Sequence, residues 1–341
     1  MANMKLLIVG TDNEFCLETS YATAAAKAGL NVVRFDPNKE IIKYVRLGKF
    51  GKYVYDFLHV DAWARKMNRD LIIRTKREKP EVLILVGTSK IYYGTLATIK
   101  VILPKVKVLW IWPDTPMNLN SEILNCAKLI DVSATYSKTS IPVFNSLGFP
   151  NVHWIPLAGD TFMHGYELNK TDDFRCDVSF VGMWRPEREH CLKIINNNFG
   201  NLNIEIHGSY WQRNCVERDL LKKWKGYGFY AGSLADYFNH CRININIIDE
   251  TNYPAANMRF FEIPTSGGLQ LSSACPEFED VFIDKTDILY FHDETELIEK
   301  MNWILSNKET VSKIRQSAQQ KIREAHSYDR RLQDLLGMVG V

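Results

Sequence analysis

Residues 249–271 read DETNYPAANMRFFEIPTSGGLQL, and the fold is decided by how this stretch is read. It follows an apolar run from Ile243 to Ile248, which has the length and composition of a strand buried on both faces. A polar loop comes next, then a helical phase from about Asn257, then the pair Gly267-Gly268 before another apolar run. Strand, loop, helix start and glycine stop describe how an α/β sheet offers backbone N–H groups to an anion at the carboxyl edge of its strands. Glu262 lies inside the helical phase between Phe261 and Ile263, a setting that predicts burial. A buried carboxylate needs donors, because an unpaired charge is costly to take out of water. The vicinal hydroxyls of a ribose would supply two, which makes the stretch a nucleotide-sugar site. Arg259 or loop amides would satisfy the same carboxylate as a purely structural group.

The remaining bounds fit that sheet. A chain of 341 residues predicts two domains, each large enough to bury a core. The net charge of +2 says little about partners, and no nucleic-acid motif is present. No apolar run approaches the roughly 18 residues that span a bilayer. The opening MANMKLLIVG is too short and too quickly polar for a secretory signal, and it reads as a first strand. Seven cysteines are scattered singly with no Cys-x-x-Cys pair, which predicts a reducing, cytoplasmic setting and no metal site.

Outward from the decisive stretch, apolar runs at 5–10 and 31–35 flank a helical phase, the opening of a parallel sheet with crossover helices. The segment 41–79 is helical in pattern, rich in Lys and Arg, and interleaved with aromatics such as Tyr44, Phe50, Tyr53 and Phe57. It reads as a solvated helical cover for the sheet, or as a surface for peripheral contact with a membrane or an anionic acceptor. Strand signals recur at 82–86, 106–111, 131–135 and 152–155, completing one Rossmann-like half near Pro156, with a linker over 157–173. Asp12 and Glu14 after the first strand and Asp114 after LWIW are candidate bases for an acceptor hydroxyl, or else plain turn and cap residues. In the second half, the strand 177–181 ends in Gly182, with Arg185 and Arg188 opening a helix where a diphosphate would be neutralised. His207 ends the strand 203–206, and a helix over 234–242 leads back to the decisive stretch. Domains are therefore expected at 1–160 and 161–325.

On these motifs the sequence resembles the CgeB-like, spore-maturation-type members of the group 1 glycosyltransferases, which have the GT-B fold. NMRFFEIPTSGG at 257–268 resembles the family's Asn-x-Arg-x-Phe-Glu-x-x-x-x-Gly-Gly signature, and DVSFVGMWRPER at 177–188 its second-domain opening. YAGSLADYFNHCRININI at 230–247, WIPLAGDTFMH at 154–164 and the closing pattern at His326–Arg330 are similar to family segments as well. The resemblance implies two Rossmann-like α/β domains facing each other across a cleft, with 326–341 crossing back as a helix onto the first. It implies that Glu262 holds ribose hydroxyls, and that the helix start with Ala255, Ala256, Asn257 and Met258 contacts donor phosphate or sugar. It further implies that Gly182 with Arg185 or Arg188 binds diphosphate, while Tyr230, Ala231 and Gly232 line the base. Arg259 falls inside the same signature and counts with the donor-binding residues. Many relatives carry a second glutamate eight positions before Glu262; here that position is Pro254.

The function expected is transfer of a sugar from a UDP-, GDP- or dTDP-linked donor to a saccharide, lipid-linked or protein acceptor. The chain lacks an Asp-x-Asp triplet, the usual device for holding a divalent ion on the donor, so metal-independent catalysis is expected. Arginines and a helix N-terminus would then stabilise the departing diphosphate. An inverting route would use Asp12, Glu14 or Asp114 as base; a retaining route, favoured by analogy, would use the leaving phosphate. A catalytically silent nucleotide-sugar binder and a nucleotide-sugar epimerase or hydrolase are the alternatives.

Overall fold

The computed structural model of the chain describes residues 4–340 apart from 46, 47, 59, 60, 88, 89, 170, 172 and 230. It comprises two compact units: one runs through Pro156 and takes in the residues from Arg331 onward, and the other is Leu157–Arg330.

The first unit is built on the strands β1 (Lys5–Val9), β2 (Asn31–Phe35), β3 (Val82–Val86), β4 (Lys107–Trp112), β5 (Val132–Thr135) and β6 (Val152–Trp154). They form one sheet in the order β2-β1-β3-β4-β5-β6, and every pairing is parallel. β3, read VLILV, is buried at every position, as expected of an inner strand covered by helices on both faces. One face packs Leu7, Leu85, Val108 and Trp110 with Phe144 and Phe149, the indole of Trp110 stacking on Phe149 at 4.4 Å. The basic segment of the sequence forms the helices Pro37–Tyr44, Gly48–Leu58 and Asp61–Glu78. Asp36 caps the first of these through Asn38 N and Lys39 N. The helix Tyr328–Met338 brings the residues from Arg331 into this unit, where Arg331 Nε donates to Pro156 O at 3.0 Å. Burial pushes the phenol of Tyr21 up, with the charges of Arg331 and Asp334 acting on it in opposite senses.

The second unit carries β7 (Cys176–Val181), β8 (Ile204–His207), β9 (Cys241–Asn246), β10 (Gln270–Ser273) and β11 (Leu289–Phe291). Their order is β11-β10-β9-β7-β8, again wholly parallel. The connection order therefore reverses between β7 and β9, and at such a point the loops leaving two adjacent strands diverge and open a crevice. On one face Val178, Phe180, Ile243 and Ile245 pack with Leu192, Ile195 and Met301 from the covering helices.

β9 is buried on both faces, as expected, although one face is polar: Ile243, Ile245 and Ile247 join the core, whereas Asn244 and Asn246 alternate with them and are fully buried. They are tolerated because they are bonded. Asn244 Nδ2 donates to Phe238 O and Leu269 O at 3.0 and 3.1 Å, and Ser179 Oγ donates to Asn244 Oδ1 at 2.5 Å. Gly268 is required by that arrangement, since a Cβ there would stand 2.8 Å from Asn244 Nδ2. The preceding helix spans Ala231–Asn239, not 234–242, because Cys241 and Arg242 already belong to β9.

The closing motif is laced to the linker within this unit. Gly159 bridges to Ser327, with Gly159 N donating to His326 O at 2.9 Å. Gly159 admits no side chain, because a Cβ would meet Thr265 Oγ1 at 2.1 Å. Among the described residues no helix is long and apolar enough to cross a membrane.

Candidate functional site

The loops that leave β7 and β9, with the helices they open, carry Gly182, Arg185, Arg188, Ala256, Asn257, Arg259 and Glu262. After β7, Gly182 N donates to His207 O at 2.9 Å, and its carbonyl accepts from Trp211 Nε1 at 2.9 Å. Gly208 lies directly against this turn at φ +143°, where a Cβ would stand 1.9 Å from Gly182 O. Trp184 N donates to Ser209 O at 2.9 Å, so the 182–185 loop is pinned to the end of β8.

Arg185 and Arg188, equivalent in the sequence, differ in the structure. Arg185 sits at the N-cap of the helix Pro186–Asn198 with extended backbone. Its Nε is buried without a hydrogen-bond partner among the described residues. Arg188 is buried: Nη1 donates to Met183 O at 2.9 Å, and Nη2 donates to Asp249 Oδ2 at 2.8 Å. Burial lowers the Arg188 pKa, and the Asp249 charge acts against that shift. Asp249 follows β9 and also accepts from Thr251 Oγ1 at 2.7 Å and Asn252 Nδ2 at 2.7 Å. Burial acts to raise its pKa, but those two bonds and the Arg188 and Arg185 charges outweigh it and hold the carboxyl below the usual range. Arg188 and Asp249 thus tie the two loops of the crevice together. Asp249 had no distinguishing signal in the sequence, since its partner is far away along the chain.

The decisive helix spans Met258–Thr265. Asn257 is its N-cap: Oδ1 accepts from Phe260 N at 3.1 Å, and Nδ2 donates to Asn246 Oδ1 at 3.0 Å, fastening the helix start to the end of β9. Ala255 and Ala256 are buried. Glu262 is buried, and Oε2 accepts from Arg259 Nη1. Arg259 therefore takes one oxygen of this carboxylate, the structural alternative foreseen for it, while Oε1 accepts no hydrogen bond among the described residues. Arg259 Nε donates to Val181 O at 3.1 Å, which places its guanidinium between the end of β7 and Glu262.

Tyr230 lies outside the described residues. Ala231 begins the helix Ala231–Asn239, and a Cβ on Gly232 would meet only Tyr166 Oη, at an ordinary 3.5 Å. His207 is buried against Phe229 and Tyr237, with ring centroids 4.6 and 5.0 Å away, and burial lowers its pKa.

In the first unit the three candidate bases are not alike. Asp12 is held by Arg34 Nη1 at 2.8 Å and Lys39 Nζ at 2.7 Å. The Lys39 bond leads in lowering its pKa, which makes it a weak proton acceptor. Asp114 accepts from Thr115 N and Asn118 Nδ2 at 2.7 and 2.6 Å, the bonding of a turn residue. Glu14 is exposed and has no partner among the described residues. The buried carboxylate at this sheet edge is Glu18, whose Oε1 accepts from Thr11 N at 2.7 Å. It packs so closely that a Cβ on Gly10 would fall 2.3 Å from Oε1. Among the described residues no group of His, Cys, Asp or Glu is placed to hold a metal ion.

Comparison with known proteins bears on the same regions. Residues 185–337 match the family described as glycosyl transferase-like. Among curated proteins none matches the sequence. Solved structures are similar over the whole chain. HepE of Anabaena in complex with UDP superposes with a TM-score of 0.62 at 11% identity, covering 99% of this chain and 100% of its own. Sucrose-phosphate synthase of Thermosynechococcus elongatus gives 0.66 at 10% identity over 98% of each chain. A glycosyltransferase of Rickettsia africae gives 0.67 at 10% identity over 99% of this chain and 98% of its own. The chain therefore has the GT-B fold of two parallel-sheet α/β domains, and from Arg185 to Gly337 it carries a glycosyl transferase-like sequence.

Proposed function

We propose that the protein is a glycosyltransferase, of the CgeB-like kind its motifs resemble, that moves a sugar from a nucleoside-diphosphate sugar to a saccharide, lipid-linked or protein acceptor. The observation that carries this reading is the set of groups gathered where the strand order reverses between β7 and β9. There Glu262, a buried carboxylate with one oxygen unclaimed among the described residues, lies on a capped helix start after β9, and Arg185, whose buried Nε has no partner among the described residues, stands at the N-cap of the helix after β7. Carboxylate suits ribose hydroxyls, while arginine and helix N–H groups suit a diphosphate on which negative charge builds as the glycosidic bond breaks. The complexes of HepE with UDP and with UDP-glucose support a uridine nucleotide as the donor. Metal-independent chemistry rests on the lack of an Asp-x-Asp triplet in the sequence, and a cytoplasmic setting rests on the singly placed cysteines.

The bonding of Asp12 and Asp114 leaves both poorly suited as the acceptor-side base of an inverting enzyme. Glu14, exposed and without a partner among the described residues, is left as the base of an inverting route, and the family resemblance favours a retaining one, with the departing phosphate taking the acceptor proton. The bonding of Asp12 and Asp114 equally suits a silent nucleotide-sugar binder, which would bind donor without turnover, and a hydrolase or epimerase, which would form product with no acceptor present. The test of the shared site is Glu262→Ala. Calorimetry should show nucleotide binding weakened by roughly 1.5–3 kcal/mol, the range for a charged hydrogen bond. Unchanged affinity removes Glu262 from the site.

Peripheral membrane contact through 41–79 belongs to the same reading. Phe50, Tyr53 and Phe57 are 66, 68 and 75% exposed on one side of the helix Gly48–Leu58, next in sequence to a helix rich in Lys and Arg. Replacing all three with Ser should abolish co-sedimentation with anionic vesicles. If the parent protein does not sediment with them, this contact is wrong.

A further inference from the structure

We infer that Arg259 is a specificity-determining residue: it occupies Glu262 against ligands that lack a diphosphate and moves onto the diphosphate of those that carry one. The inference rests on the nucleotide reading of the site. Arg259 stands on the first turn of the helix Met258–Thr265, three residues before Glu262 and on the same side of the helix. Its guanidinium is bound at two points, Nε to Val181 O at 3.1 Å and Nη1 to Glu262 Oε2. Nη2 makes no hydrogen bond among the described residues, and the side chain is 29% exposed. The head group therefore lies between Glu262 and the start of the Gly182 loop, that is, between the proposed ribose and diphosphate positions.

Vicinal hydroxyls that reach both oxygens of Glu262 compete with Nη1 for Oε2, which lies on a side chain only 8% exposed. A nucleoside offers the displaced guanidinium nothing in return. Released, it would still feel the charge of Arg188, on which it already acts. A nucleoside diphosphate offers phosphate oxygens, which a guanidinium binds in the same forked manner as a carboxylate. The exchange needs only side-chain rotation, because Arg259 and Glu262 share one helix whose cap and packing stay in place. Discrimination between nucleoside and nucleotide thus resides in a residue that touches both partners in turn, in addition to the fixed cation Arg185.

The test is calorimetry on the full chain with whichever of UDP, GDP and dTDP binds best, and with the matching nucleoside. Arg259→Met should bind the nucleoside about tenfold more tightly and the nucleoside diphosphate about tenfold more weakly, each shift corresponding to about 1.4 kcal/mol. Arg259→Lys keeps the charge but not the fork, should fall between, and serves alone if the methionine variant does not fold. A change of both affinities in the same direction, or of neither, overturns the inference. Glu262→Ala separates the two levels. If it leaves every affinity unchanged, the nucleotide reading itself has failed. If it weakens both ligands while Arg259→Met does not split them, only the role given to Arg259 has failed.

Discussion

Replacing Asp249 with Ala removes the acceptor for a guanidinium that the fold has already taken out of water. Arg188 keeps only the bond from Nη1 to Met183 O, because its Nε is buried with no partner among the described residues. Breaking a buried ion pair from one side costs about 3–5 kcal/mol, chiefly because the surviving charge is left uncompensated. In a domain of this size each kcal/mol moves the melting temperature by about 2–4 °C, so a loss of about 6–20 °C is expected. Calorimetric melting at neutral pH reads the change directly. The double variant Arg188→Met/Asp249→Leu should regain most of the loss, since an apolar pair of similar volume carries no desolvation cost. Acidity supplies a further check. The folded carboxyl of Asp249 titrates below its unfolded value, so its stabilisation is complete above about pH 4 and disappears as pH falls through the folded pKa. The gap between parent and Asp249→Ala should therefore narrow only in acid below that point. If Asp249→Ala melts with the parent at neutral pH, or if the double variant is worse than the sum of the single ones, the pair does not staple the two loops.

Gly208→Ala should destabilise the protein and weaken nucleotide binding together, because the new Cβ would collide with Gly182 O in a region of φ that side chains avoid; unchanged melting would refute the close packing. Asn257→Ala removes the helix cap, at about 1 kcal/mol, along with the tie to Asn246, so donor affinity should fall more than stability; the two are separated by titration and melting. Arg185→Ala should lower turnover while leaving the melting temperature near that of the parent, since its side chain makes no hydrogen bond among the described residues. Full activity in that variant removes it from the phosphate site.

The strands could be read from the sequence wherever apolar runs were short and bounded, as at 82–86 and 152–155. The helix Met258–Thr265 could be read from its helical phase and paired glycines. These signals are local, written within a few residues of the element they specify. What could not be read depends on distant partners. Nothing near Arg185 and Arg188 tells which of them will be consumed by a carboxylate, and Asp249 looks like any polar residue beginning a loop. Asp12 gave no sign that Arg34 and Lys39 would claim it, because both arrive from the neighbouring strand and its helix. Asn244 and Asn246 were absorbed into an apolar run, since their acceptors and donors come from the flanking strands and the covering helix. Glu18 stayed hidden as an ordinary acidic residue in a first helical turn, because the glycine that makes room for it belongs to the preceding strand end.

That the residues from Arg331 onward belong with those before Pro156 bears on how the protein is made. As the chain leaves the ribosome, the second unit has its full complement of residues before the first does. The first must wait with its seat for Leu332, Leu335 and Leu336 unfilled until the stretch from Arg331 is translated. A nascent chain arrested just short of Arg331 should therefore yield a protease-resistant core covering the second unit, with the opening half still open to cleavage.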